Sequence, residues 1–377
     1  MFETMTHLAL QQYWWFIVSL LAAILVFLMF VQGGQTLIFT LGKNDLEKKM
    51  IINTLGRKWE FTFTTLVTFG GAFFASFPLF YATSFGGAYW VWMAILIAFV
   101  LQAVAYEFRS KPDNLFGPRV YEIFLFINGA LGTILIGTAV GTFFTGSMFS
   151  VDPITNFSRW ELSSHGLEAA LNIQNVSLGL AVFFLARVLG MLYIMNSIES
   201  KTIFERAKRH LLYNTLPFLV FFLFFVIRLM FLDGFAYDPE SGSVFMEANK
   251  YLQNFLAMPA VLILFLAGVL LVLYGIVFSW IRTWTKGIWF AGFGTVFTVL
   301  ALFLIAGYNN TSFYPSVFDL QSSLTIENAS SSKYTLTVMS YVTLFIPVVI
   351  AYIVWAWRAI NRSKIDEAEM EGSTHTY

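Results

Sequence analysis

Nine stretches of this 377-residue chain are long and apolar enough to cross a bilayer as helix, and the loops between them alternate between basic and nearly charge-free. No other feature constrains the fold as strongly. About 20 apolar residues in a helix span ~30 Å of hydrocarbon, and lipid offers no water to a backbone group left unpaired. The expected spans run from Tyr13 to Phe39, Phe61 to Thr83, Ala88 to Phe108, Val120 to Thr145, Leu167 to Met195, Leu211 to Leu232, Leu252 to Trp280, Ile288 to Tyr308 and Tyr334 to Trp357. A composition 58% hydrophobic and 12% charged leaves little material for a water-facing surface. The expectation is an all-α polytopic membrane protein, one membrane domain over residues 1–377 with nine transmembrane helices.

Sorting the cations by side tests that count. Lys43, Lys48, Lys49, Arg57, Lys58, Arg109, Lys111, Arg119, Lys201, Arg206, Lys208, Arg209, Arg282, Lys286, Arg358, Arg362 and Lys364 fall on one side. Arg159, Lys250 and Lys333 fall on the other, and Arg187 and Arg228 lie within spans. Such a bias in short loops places the basic side in the cytoplasm, the N-terminus outside and the C-terminus inside. The first segment carries Glu3 and His7 but no Lys or Arg, so it lacks the basic start of a cleavable signal and is expected to stay. The acidic tail after Arg358, with Asp366, Glu367, Glu369 and Glu371, reads as a short solvated end.

Several chemistries are excluded by composition. With no Cys there is no disulfide, thiolate metal site or Cys-ligated cluster. Zero net charge offers no excess cation for a nucleic-acid partner. The four His, at positions 7, 165, 210 and 375, all stand at termini or loop edges, whereas a transmembrane haem needs axial ligands inside a span. No haem and no metal is expected on this chain.

Buried charge is expensive in a membrane, so charged residues in or beside spans carry the most information. Glu60, Glu107 and Glu122 stand at the basic ends of spans two, three and four. Beside Arg57, Lys58, Arg109 and Arg119 they read either as headgroup-level ion pairs or as proton-transfer groups. The ion pair is the expectation for Glu107 and Glu122. Glu60 leads into Thr62, Thr64, Thr65 and Thr68, which either extend a polar track or bond back to their own helix. Arg187 is the deepest charge, marking a buried polar site or a snorkelling side chain. Gly129, Gly137 and Gly141, with Thr133 and Thr145, repeat every four residues and form a small-residue packing stripe. Taken alone, these residues leave a transporter, a channel and a respiratory subunit open.

An ordered set of local motifs narrows the choice. Trp14-Trp15, Leu41-Gly42-Lys43-Asn44-Asp45, Ile52-Asn53 and Trp59-Glu60 come first, followed by Gly70-Gly71-Ala72-Phe73-Phe74-Ala75-Ser76-Phe77-Pro78 and Glu107-Phe108-Arg109-Ser110-Lys111. Ser323-Leu324-Thr325-Ile326, Asn328-Ala329-Ser330-Ser331 and Thr335-Leu336 complete the set just before the last span. In order and spacing this resembles subunit II of the cytochrome bd quinol oxidases over nearly the whole chain. The resemblance implies two four-helix bundles, helices 1–4 over about 13–145 and helices 5–8 over about 167–308, plus a peripheral helix over about 334–357 and a tail over 358–377. It implies pairing with a haem-bearing subunit I that holds two b-type haems and one d-type haem, oxidises quinol and reduces O2 to water. It also implies a bound quinone in some members, a small accessory single-helix subunit in the complex, and a cytoplasmic proton route lined by subunit II.

On that route the family carboxylate after Trp at the start of the second span matches Glu60. The sequence departs where many members carry Asp-Gly-Phe-Asp at the end of the first span, for it has Gln32-Gly33-Gly34-Gln35. Gln32 and Gln35 can hydrogen-bond but not titrate. They join Arg187 as buried polar candidates.

Overall fold

The computed structural model describes residues 2–111, 114–361, 364–366 and 369–370. Arg362, Glu367, Glu371 and His375 lie outside the described residues. Among those described, eight helices are long and apolar enough to cross a membrane: His7–Gln35, Tyr89–Phe108, Pro118–Thr145, Ile173–Ser197, Lys201–Met230, Pro259–Ile281, Gly287–Gly307 and Lys333–Ile360. The pair Asp45–Ser76 and Pro78–Gly87, bent by 118°, is apolar enough only when taken together, which makes the count nine where the bent pair is one broken span. The bend sits at Phe77, just before a proline that lacks an amide hydrogen and crowds the preceding turn. The second span was expected to run on to Thr83; it ends at Ser76 and turns aside.

Other boundaries shift for local reasons. The first span begins at His7, capped by the Thr6 hydroxyl, which accepts from the Ala9 amide. The basic stretch after it forms a helix, Asp45–Gly56, where a loop was expected. Asn44 caps this helix by accepting from the Glu47 amide at 2.8 Å, and Glu47 reaches back to the Lys43 amide at 2.7 Å, a reciprocal arrangement that satisfies exposed donors. Met50, Ile51, Ile52 and Leu55 on its inner face are fully buried. The sixth span starts ten residues early, at Lys201, with Ser200 as its cap. The seventh starts late, at Pro259, because Lys250–Ala257 is a separate short helix.

Spans one to four form one bundle and spans five to eight the other; the first, fourth, fifth and eighth make the seam between them. Trp15 anchors that seam on the side opposite the basic loops. Its ring lies against Phe73, Phe77, Phe303 and Phe313, and its indole donates to the Phe303 carbonyl at 3.0 Å. Lipid tails are as apolar as these side chains, so close packing and hydrogen bonds must hold the helices together. The last span packs on the first through its opening turns, while its second half, Ile346–Ile360, buries no residue. It is peripheral.

Contacts between loops gather them into two groups at opposite ends of the helices. On the basic side, Ile365 pairs with Ile198 as a parallel bridge, Glu369 meets Arg57, and Lys49 donates to the Met370 carbonyl at 3.3 Å. The solvated-tail expectation therefore fails at Ile365 and Met370, which bury their apolar side chains against the bundle, and holds at Lys364 and Asp366, which are exposed. On the other side, His7 bonds the Ser331 carbonyl at 3.0 Å, and two short hairpins, Phe149–Val151 with Ser158–Trp160 and Gly234–Tyr237 with Val244–Glu247, pack with the segment after Tyr308 into a cap.

Candidate functional site

The interior of the first bundle carries a column of polar side chains. On the third span Gln102, Tyr106 and Arg109 are spaced by four and three residues, so they share one helix face. Facing them are Gln32 and Gln35 from the end of the first span, and Glu122 and Asn128 from the fourth. Glu122 forms the basic-side mouth. It is 3% exposed, accepts from Arg109 at 2.7 Å, and has the Lys48 ammonium 3.4 Å from its other oxygen. The expected headgroup-level pair is thus a buried one, because the helix Asp45–Gly56 and the third span fold over it.

Further in, Gln35 donates to the Tyr106 hydroxyl at 3.1 Å, and Gln32 reaches the Gln102 carbonyl oxygen at 3.4 Å. Tyr106 stacks on Trp59 at 5.8 Å. Gln32 Oε1, Gln35 Oε1, Gln102 Nε2, both amide atoms of Asn128, Trp59 Nε1 and Arg109 Nε are buried without a hydrogen-bond partner among the described residues. Each such group left dry costs about 1–3 kcal/mol. Ordered water, which makes 2–4 hydrogen bonds per molecule, is the usual remedy. The column closes at Asn128–Gly132, a π-helical turn. Gly129 allows this turn to meet the first span, since a Cβ there would lie 2.3 Å from the Gln32 carbonyl oxygen.

Glu60 and Glu107 stand elsewhere. Both are exposed, and each follows a member of the Trp59–Tyr106 stack, which puts them at one level on adjoining helices. Glu107 pairs with Lys111 at 3.2 Å, and Glu60 has no ion pair among the described residues. The threonines behind Glu60 make no track: Thr62 donates to the Leu28 carbonyl, while Thr65 and Thr68 bond back to Phe61 and Thr64. Arg187 is partly buried without a carboxylate, donating to Asn214 Oδ1 at 2.6 Å and Thr36 Oγ1 at 2.7 Å. Gly137 and Gly141 face the fifth span, where a Cβ would lie 2.7 Å from Gly179 Cα and 2.6 Å from Asn175 Oδ1.

An apolar cavity of about 190 Å³ lies in the same bundle toward the capped side, lined by Leu66, Phe69, Trp92, Phe143, Trp160 and Tyr314 among others. A larger surface groove of about 540 Å³ shares Leu66 and Trp92 with it.

A family model described as cytochrome bd terminal oxidase subunit II matches residues 10–360. The chain belongs to that family. As a bd oxidase subunit II, it is 28% identical to cytochrome bd-I ubiquinol oxidase subunit 2 of Escherichia coli K12, over 96% of this chain and 97% of the relative. It is also 28% identical to cytochrome bd ubiquinol oxidase subunit 2 of Bacillus subtilis, over 92% and 95%. The fold matches the bd oxidase structure from Geobacillus thermodenitrificans with a TM-score of 0.65 and 13% identity, covering 94% of this chain and all of that one. This subunit II is thus a membrane component of a quinol:oxygen oxidoreductase, a terminal oxidase of the respiratory chain.

Family membership implies haems in the complex; the described histidines of this subunit II stand as follows. His7 bonds Ser331 at the rim, His165 bonds the Gly87 carbonyl at 2.9 Å beside Tyr89, and His210 is at the basic end of the sixth span.

The sequence reading missed Lys48, Gln102, Tyr106 and Asn128. The signal was present in the helical spacing of Gln102, Tyr106 and Arg109, but a search for carboxylates passes over amides.

Proposed function

We propose that this chain is the haem-free subunit II of its oxidase, that the two b-type haems and the d-type haem reside in a partner subunit I, and that this subunit lines a proton route from the cytoplasm. The basic side is the cytoplasmic one, with the N-terminus outside and the C-terminus inside. The observation that carries the route is the exposed Glu60 carboxylate, without an ion pair among the described residues, level with Glu107 at the basic end of two adjoining spans. On a docked partner that face becomes enclosed, and partial burial raises a carboxyl pKa toward the range where it can take and return a proton.

The orphaned amides favour a second branch. Waters bridging Gln35, Gln32, Gln102 and Asn128 would continue inward from Glu122, with glutamines supplying hydrogen bonds where many relatives supply carboxylates. The aromatic cavity and its neighbouring groove suit the ring and tail of a quinone-like lipid, flat and apolar as both are.

Glu60→Gln in the intact complex tests the leading branch. Oxygen consumption should fall by about 10²-fold if proton delivery through this group limits turnover, with assembly and haem spectra unchanged. Turnover equal to the parent at every pH removes Glu60 from the route. Glu122→Gln measured in parallel reports the inner branch.

A further inference from the structure

Two small cavities lie inside the protein, away from the ends of its spans. One, of about 50 Å³, is enclosed mainly by spans five, six, seven and eight. The other, of about 60 Å³, sits at the seam, among spans one, two, four, five and eight. Val26, Leu178, Val182, Val299 and Leu302 line both, so the two adjoin. Neither gives water a foothold. The seam cavity is lined by apolar side chains and Gly137. The two threonines of the other, Thr295 and Thr298, donate to the Ala291 and Gly294 carbonyls of their own helix at 2.8 and 2.9 Å. Water needs 2–4 polar partners, so both cavities stay dry and accept an apolar occupant. Each exceeds the roughly 10–15 Å³ that one water-sized molecule requires, and each falls well short of the roughly 150 Å³ that admits benzene.

The pair connects to the outside in both directions. In the cavity of the second bundle, Leu219 and Phe222 of span six and Val269 and Leu273 of span seven are only half-buried, so it opens toward lipid between those two spans. The seam cavity shares Leu25, Phe69, Ile136 and Val140 with the aromatic cavity of the first bundle. That cavity in turn shares Leu66, Phe85 and Trp92 with the groove on spans two and three. Four largely apolar spaces thus follow one another across both bundles, ending on the spans that carry Glu60 and Glu107.

We propose that the two inner cavities hold dioxygen on its way from the bilayer to the docked haem-bearing subunit. Dioxygen is the oxidant of the reaction this family performs, and it is both apolar and small enough for either cavity. Transfer of an apolar solute from water into hydrocarbon is favourable, so entry between spans six and seven draws on the phase richer in the gas. The direction of travel rests on the reading above that the partner encloses the face of spans two and three. A quinone-like lipid competes for the aromatic cavity and leaves the inner pair to the gas.

The test pairs xenon, as a dense stand-in for the gas, with oxygen kinetics on the intact oxidase complex. Xenon-pressurised crystals should show xenon in both cavities, and Val182→Phe, which puts a ring into their common wall, should remove it from both. The same variant should raise the KM for dioxygen roughly three-fold or more, with the loss overcome at saturating oxygen. Should Val182→Phe fail to assemble, Val299→Leu adds one methylene to that wall and should shift the oxygen KM in the same direction. No xenon in either cavity overturns the site. An acyl or isoprenoid chain filling them in the unpressurised complex overturns the gas assignment. Xenon displaced by the variants with the oxygen KM unchanged overturns delivery. A partner cross-linked to spans other than two and three overturns the direction of travel alone, since the xenon positions do not depend on docking.

Discussion

Gly33 is where the two bundles touch backbone to backbone, and Gly33→Ala should be among the most damaging single-methyl changes in the molecule. A Cβ at this position would lie 1.8 Å from the Ala186 carbonyl oxygen, 2.0 Å from its carbon and 2.5 Å from the Arg187 nitrogen. Non-bonded heavy atoms rest at about 3.5–4 Å, so the first and fifth spans must part by roughly 1.5 Å. Overpacking costs about 1–3 kcal/mol, and here the upper end applies, because backbone atoms have no rotamer into which to escape. Replacing a helical glycine with alanine returns about 1 kcal/mol of helix propensity, which leaves a net loss of about 2 kcal/mol. Gly71→Ala is the matched control: its Cβ would meet nothing within 4 Å, so only the propensity gain remains. The two variants should therefore differ by about 3 kcal/mol, enough to separate their melting temperatures by several degrees. Thermal challenge of the complex followed by fluorescence-detected size exclusion reads this directly. A Gly33→Ala complex that melts with or above Gly71→Ala would refute backbone contact at the seam.

The juxtamembrane pair of Glu47 and Arg206 predicts an acid limb. Burial acts to raise the Glu47 pKa, but bonds from Arg206, the Lys43 amide and Thr202 outweigh it and hold the group down at about 2, against an ordinary 4.5. Its contribution is therefore complete above pH 4.5 and lost as pH falls toward 2. Glu47→Gln should remove roughly 1–2 kcal/mol at neutral pH, the pair being partly open to solvent, and should flatten that limb in a pH series of melting temperatures. Lys58 is fully buried with no hydrogen-bond acceptor among the described residues, its ammonium 4.7 Å from the centre of the Trp357 ring. Lys58→Met keeps the length and removes an uncompensated charge, so it should hold or raise the melting temperature; a marked drop would mean the ammonium has a partner in the complex. Ile365→Ala should cost about 2–5 kcal/mol if the tail packs as described, and protease nicking of the tail, followed by electrophoresis, should accelerate accordingly.

The presence and approximate places of the long apolar helices were legible because hydrocarbon imposes a length and a polarity on every span. Breaks inside the apolar runs were less so. Pro78 marks the bend in the second span, yet the residues on both sides of it are equally apolar, and hydropathy cannot tell a straight helix from one turned by 118°. The tail was misread for a related reason: Ile365 and Met370 are two apolar residues among many charges, and their burial depends on a groove made by segments more than a hundred residues away. Glu122 shows the limit at the site. Its place beside Arg109 followed from composition, but its withdrawal from solvent depends on a helix between the first and second spans that was read as a loop.

The docked tail works as a clasp. Ile365 and Met370 hold segments that precede them by more than a hundred residues, through the bridge to Ile198 and the contacts of residues 369–370 with Lys49 and Arg57. Cleavage ahead of Ile365 would therefore uncover the ends of two helices and the cleft between them in one event, while leaving every long apolar helix intact.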